Sequence, residues 1–581
     1  MASVVDQMLR DGNLEFSGGQ DADGPLSLLD RNQVGFATNT TFRRGKAMHR
    51  PGFVRRNLIF PNDSTATAFK SLMFQHSGFF DGTDVPMLLN SHGGRLWKTD
   101  IRTFQVSEIT PITGRNSAIQ RQGWSVQAEN YWIFQDNQSY PIIFDGAGSR
   151  RSNPARKEVP VGNVMGYGMG RLVVALPDRQ SFRVGDLVFG DSGNPALGRR
   201  DAILHFTEND FLNEGGDFVA RVFGAPSGFG PITCIKSCAM ENTQLGQGPM
   251  IVATPNMVFT INLPFDRTTW KNLANALQTV NPIQGPLNQD GTQLVNADMW
   301  YRAIDGIRSY IIAQRDFNAD WGNTPQSAEV NGTLERDTEN LLEFGSGALF
   351  DNRYMHTVSP VPSPHGVWHR GLVVIDFNLI SKLKKKAIPA WEGLWTGLRI
   401  LKVITATSDQ KKRCFIWALN AQDEIELWEM VPGQLVDHLS DRIVWTLDLP
   451  SYNCLDGFSF KKLETGEIFI DEVKGDVDIV VKYRSDQNPC WQTWDEFHVC
   501  AKDEDCTVSN CRPPMNLKPQ FRSKLKLHQP GDGFDEINGR KYRTGYEFQP
   551  RLEITGSCAV KQLRIGAMPE PESGHGERRV V

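Results

Sequence analysis

Gly190-Asp-Ser-Gly-Asn-Pro195 is the stretch with the most suggestive chemistry. In serine proteases a Gly-Asp-Ser-Gly turn sets a nucleophile beside oxyanion donors, and a histidine oriented by a buried aspartate takes the serine proton. That chemistry needs an upstream histidine at a strand end in an Ala-x-His-Cys-like context. His49, His76 and His92 lack it, so the stretch reads as a turn. Glycoside hydrolysis would need paired carboxylates, or a Tyr/Glu nucleophile with an arginine cluster. The acids here are scattered, and no Ser-x-Asp-x-Gly-x-x-Trp box is present. A Gly-rich phosphate loop ending in Lys-Ser/Thr and a His-Glu-x-x-His pair are also missing. The expectation is a protein that is not an enzyme, with no catalytic, cofactor-binding or metal-ligating residue and no cofactor.

Nine cysteines are an odd number for a complete disulfide framework. Cys490, Cys500, Cys506 and Cys511 cluster, but at intervals too long for Cys-x-x-Cys zinc knuckles, and Cys234-x-x-x-Cys238 is no better. Ordinary thiols are the leading reading, with disulfides formed after assembly and metal binding as alternatives. Arg43, Arg44, Lys46, Arg50, Arg55 and Arg56 crowd together with no acid among them. Solvated strand cations, contact with an acidic partner subunit and contact with DNA are the three readings open to them. Lys382-Leu-Lys-Lys-Lys386 reads as a solvated connector.

The elements that would position such residues are short β runs. At 581 residues and 40% apolar content the chain supports several cores. Its net charge of −5 excludes nucleic-acid binding by overall charge. No run approaches the ~20 apolar residues of a membrane span, and the first residues lack a signal-peptide pattern. A soluble protein made in a cytoplasm is expected. Pro86-Met-Leu-Leu-Asn-Ser-His-Gly-Gly-Arg-Leu-Trp97 is a hairpin turned by its glycines. Similar hairpins recur around 136–137, 177–178, 255–256 and 421–423, at a spacing of roughly 40 to 70 residues, near the period of propeller blades. The fold class expected is all-β: a β-propeller body with an additional C-terminal β-sandwich and few short helices. Residues 1–60 read as an N-terminal arm and first strand, 61–455 as the propeller, 456–568 as the sandwich and 569–581 as a flexible tail. Within the sandwich, a hairpin turning at Lys474-Gly475-Asp476 and pairing of 521–527 with 546–554 and 559–565 are expected. The segment 268–280 is the best helix candidate, with Thr268 as its cap.

Several blocks resemble the propeller-type structural proteins of tailed bacteriophages. The opening carries Gly18-Gly19-Gln20-Asp21, Leu29 with Asn32-Gln33, Asn39 and Arg50-Pro51-Gly52. Later blocks are Trp300 to Phe317 with Trp321-Gly-Asn-Thr-Pro325, Phe344 to Arg353 followed by Thr357-Val-Ser-Pro360, and Lys518-Pro-Gln-Phe-Arg522 with Phe548 to Cys558. In plan the chain is similar to the tail nozzle proteins of short-tailed phages. The resemblance implies a virion tail protein made in a bacterial host, forming a homo-oligomeric ring of six copies around the DNA exit channel. Its partners would be adaptor, portal-proximal or tail-fibre proteins, with DNA passing unread. The six cations would then be subunit contacts. A baseplate, collar or fibre-anchoring protein is the alternative within a particle, and a propeller-type glycoside hydrolase the alternative outside it.

Overall fold

The computed structural model describes residues 8–82, 85–187, 201–207, 222–237, 250–261, 263–264, 269–270, 277–281, 284–296, 298–311, 325–378, 389–438, 440–454, 456–501, 522–533 and 541–570. The turn at 190–195, the run at 382–386, Cys238, Cys506, Cys511 and the tail from 571 lie outside them.

Alternating strands with apolar residues on both faces must be covered on both sides, and a ring of radially stacked sheets does this without leaving long edges. Four blades are four-stranded antiparallel sheets. Blade 1 is Phe74–Asp81, Pro86–His92, Arg95–Asp100 and Val106–Glu108; blade 2 is Trp124–Ala128, Tyr131–Gln135, Ile142–Phe144 and Ser149–Arg151. Blade 3 begins at Met165–Gly168 and blade 4 at Cys234–Ser237, while blade 5, from Gln293–Val295 to Gly306–Ser309, has three strands among the described residues. Two further packets belong to a large curled sheet. One is Gly347–Phe350, Arg353–Ser363, Gly366–Asp376 and the first half of the bent strand Ala390–Ser408. The other is the second half of that strand with Lys411–Leu419, Ile425–Val431 and, from the N-terminal region, Gly52–Arg56. The inner strands of blades 1 to 4 meet in succession, blades 4 and 5 share a core, and Ala390–Ser408 returns to pack on blade 1, which closes the circle.

Strand alternation sorts the cores between blades. In blade 2, Trp132, Phe134, Ile142 and Phe144 join Phe80, Leu89 and Leu96 of blade 1, while Ile133 and Ile143 face Leu172 and Val174 of blade 3. Phe415, Trp417 and Leu427 close the ring against Leu88 and Trp97. A helix, Asp63–Ser71, carries the chain from the closing strand to blade 1; the Asn62 side chain accepts the Thr65 N–H at 2.8 Å and caps it.

The second body curls about two long antiparallel strands, Lys461–Ser485 and Phe548–Pro569. Leu463, Ile468, Val477, Ile479, Val481, Leu552, Ile554 and Leu563 form its core with Trp445 and Tyr452. The expected hairpin at 474–476 is instead a bend within one continuous strand. Gly475 and Gly556 both have positive φ, and register shifts bracket the corner, so the two strands turn together. Arg522–Leu527 pairs with Lys461–Ser485, not with 546–554 or 559–565, which fall in and just before one strand, Phe548–Pro569. Of the helix expected over 268–280, the cap Thr268 and residues 271–276 lie outside the described residues, Thr269 and Trp270 form a short helical turn, and the far end is a strand, Leu277–Asn281, the outer strand of blade 4. Leu277 is buried there in the core holding Phe259 and Trp270, and that packing overrides helix propensity.

The first 60 residues divide between both bodies. Leu9–Asn13 pairs with Phe548–Pro569, and Phe16, Val34, Ala37, Phe42 and Ala47 enter the core of the curled sheet. Val444–Asp448 also belongs to that sheet, upstream of the expected boundary at 455.

Candidate functional site

The inner strands converge on a polar network at the ring axis. His76 comes from blade 1, Ser125 from blade 2, Asp290 from the turn entering blade 5 and Lys402 from the last inner strand. They enclose a cleft of about 240 Å³, below the ~300–1,000 Å³ of ordinary ligand pockets. His76 Nε2 lies 2.7 Å from Ser125 Oγ, and Asp290 Oδ2 lies 3.5 Å from His76 Nδ1. Serine, histidine and aspartate thus stand in the order of a nucleophilic relay. Lys402 changes what that order can do. Its ammonium donates to Asp290 at 2.6 Å and sits 3.1 Å from His76 Nδ1. A donor at Nδ1 places the imidazole proton on Nε2, so His76 donates to Ser125 and cannot take its proton. Burial and then the Lys402 charge push His76 below the ordinary histidine range, keeping it neutral. Burial also lowers Lys402 despite Asp290. For Asp290, burial works against ionisation, but the Lys402 charge holds it well below the usual carboxylate range. Lys402 and Asp290 line both this cleft and a second, smaller recess.

The second polar centre is the junction where the N-terminal region meets the ring, and it takes up most of the six cations. Arg50 is 1% exposed and grips Asp437 with both terminal nitrogens, at 2.8 and 2.7 Å. Its remaining N–H groups donate to Asn39 Oδ1, Pro51 O and Thr396 O, and the guanidinium stacks 3.8 Å from the centre of the Phe53 ring. Asn39, at φ 55°, donates in turn to Thr396 Oγ1 and Val444 O. A Cβ on Gly52 would lie 2.3 Å from Val436 O, so glycine is required where the chain enters the closing strand. Arg43 binds Asp376 at 2.5 Å and Asp351 at 2.7 Å beside the buried Arg353–Glu392 pair. Burial raises the Glu392 carboxyl above the ordinary range against the pull of Arg353. Lys46 bridges Asp471 and Glu472; burial opposes its charge, but those two partners raise it. Arg55 pairs with Glu426 and Arg56 with Glu429, while Arg44 is exposed. Sequence proximity made these residues look like a free basic arm; their acids lie hundreds of positions downstream.

A cleft of about 510 Å³ opens between blades 1 and 2. Phe80, Val85 and Met87 line it, with Asp81, Asp100 and Asp145 and one cation, Lys98. Among the described residues no group of three or more histidines, cysteines, aspartates or glutamates has a metal-holding arrangement. Cys234, Cys414, Cys454 and Cys558 are buried free thiols and Cys490 is exposed. Burial pushes Cys234 to about 11 and Cys454 and Cys558 to about 12, which makes them poor nucleophiles.

His76, Ser125, Asp290 and Lys402 escaped sequence reading because 49, 112 and 326 positions separate the bonded pairs. No local spacing marks such a set. No family profile matches the sequence, and no curated protein matches it. Among solved structures, the chain is similar to one in a crystal structure of a mitotic checkpoint complex, at 7% identity and TM-score 0.35, covering 65% of this chain and 93% of that one. It is also similar to the computationally designed Ika8 protein, at 10% identity and TM-score 0.31, covering 72% of this chain and all of that one.

Proposed function

We propose that this chain is a structural component of a bacteriophage particle, a tail nozzle or neck-to-tail ring protein that surrounds the DNA exit channel as a homo-oligomer. The observation that carries the reading is the role of the motif behind the resemblance. Asn39, Arg50 and Gly52 weld the closing strand, the bent strand and the curled sheet together. Gly18 and Gly19 belong to the same weld, since a Cβ on either would collide with Gln33 or Trp391. A pattern with such duties marks a fold plan, as expected of a particle building block. Lys402 and Asp290 pair beside the cleft where the inner strands converge, so a DNA path would run between copies and not through one propeller. A mildly acidic chain suits a conduit, because each cation facing phosphate adds counterion-release affinity. Five of the six cations of the N-terminal region are matched by internal acids and add little to such a lining.

Electron microscopy of the purified chain, followed by its position and copy number in a particle map, tests the reading. A closed ring on the tail axis is expected; a monomer absent from particles would sink it. Turnover of glycan substrates, abolished by carboxylate substitution, would favour the hydrolase instead.

A further inference from the structure

The 109–123 connection between blades 1 and 2 combines a rigid frame with apolar side chains held out in solvent. Arg151 donates to Gly114 O, Asn116 Oδ1 and Tyr140 O, each at 2.8 Å. Gln75 donates to Ser117 O and Gln120 O, and the Asn116 N–H reaches Gly94 O. On this frame Ile112 is fully exposed and Ile119 is 85% exposed, with Tyr140 half-exposed beside Arg151's contacts. Arg115 and Arg121 are exposed on the same loop, which has no acid between 111 and 123. Apolar side chains presented by a pinned loop avoid the ordering cost that a mobile loop meets on binding.

The 510 Å³ cleft has the opposite character: an apolar floor of Phe80, Val85 and Met87 under Asp81, Asp100 and Asp145, with Lys98 as its one cation. Inner strands of blades 1 and 2 run from the loop's face of the ring to the cleft's face. Asp81 ends Phe74–Asp81 and Asn130 follows Trp124–Ala128, whereas 109–123 precedes Trp124. Loop and cleft therefore lie on opposite faces and cannot meet within one molecule.

We infer that the loop is a docking knob that seats in the acidic cleft of a second copy of this chain. Ile112 and Ile119 enter over Phe80 and Met87, and Arg115 and Arg121 meet the aspartates. Such a contact is heterologous, and repeating it builds either a closed ring or an open filament. It deepens the ring reading above and rests on it for its geometry, not for DNA passage.

Sedimentation of the full chain tests it. The wild type is expected to assemble. Ile112→Asp with Ile119→Asp, and separately Asp81→Arg with Asp145→Arg, should each weaken association on the order of a hundredfold. An equimolar mixture of the two variants should give dimers and nothing larger, since only one intact knob and one intact cleft remain. Arg115→Asp with Arg121→Asp, mixed with the cleft variant, supplies a second pairing that leaves the isoleucines in place. A wild type that stays monomeric overturns both the contact and the ring. Assembly that survives the knob variant, or variants that fail to pair when mixed, overturns the contact and leaves the ring standing.

Discussion

Arg50 donates five hydrogen bonds from a buried guanidinium, and each receives an oxygen. Removing a charge from such a site strands its partners. Arg50→Ala is expected to cost about 3 kcal/mol in denaturant unfolding, and Arg50→Lys to recover little, because an ammonium cannot span two carboxylate oxygens and two carbonyls. At the axis, Asp290→Ala leaves Lys402 as a buried cation beside His76 and should cost a similar amount, about 3 kcal/mol. The double variant Asp290→Ala, Lys402→Met should lose less than the sum of the two single changes, which a double-mutant cycle measures. Ser125→Ala should leave any hydrolytic signal of the preparation unchanged, because His76 donates to that oxygen and does not take its proton.

The buried histidines of the ring strands carry a pH dependence. Burial pushes His92 and His369 down to about 4 and His356 to about 3. From pH 6.5 downward the unfolded chain takes up protons that the folded chain refuses until pH 4 or below. The stability these histidines contribute is therefore full above pH 6.5 and falls with acidification by about 1.4 kcal/mol per pH unit for each histidine. Unfolding midpoints measured from pH 7 to 4 should fall steadily, and His92→Phe should flatten the slope. At this scale the sequence was readable wherever hydrophobic period and turn chemistry agreed: Tyr131–Gln135 against Ile142–Phe144, or Lys411–Leu419 against Ile425–Val431, form the hairpins expected. It was unreadable at 474–476, where Lys-Gly-Asp suits a hairpin turn and a coordinated bend equally well. Only the partner strand, bending at Gly556, selects the bend. The helix Asp63–Ser71 did carry a local signal, an asparagine cap before Asp63.

For the molecule as a whole, closure depends on Gly52–Arg56, laid against Ile425–Val431 from the far end of the chain. Deleting residues 1–56 removes that strand together with five residues of the curled sheet's core, Phe16, Val34, Ala37, Phe42 and Ala47. The truncated chain is expected to lose its cooperative thermal transition, with amide exchange rising fastest in Ile425–Val431 and Phe548–Pro569, which lose their partners. Exchange confined to the new edge at 425–431 would show that the two bodies are stabilised independently.

By itself the sequence determined an all-β, blade-like chain, because alternation of apolar residues and the dihedral needs of Gly, Asn and Asp turns are local properties. It also marked Asn39 and Arg50-Pro51-Gly52 as special without saying why. Tertiary structure decided the rest. It set the route of the first 60 residues through both bodies, the internal acids that neutralise the basic cluster, and the axis network that joins residues 76, 125, 290 and 402. These are contacts between residues that no periodicity links, and charge acts through space rather than along the chain. A basic arm in sequence therefore became a salt-bridged seam once folded.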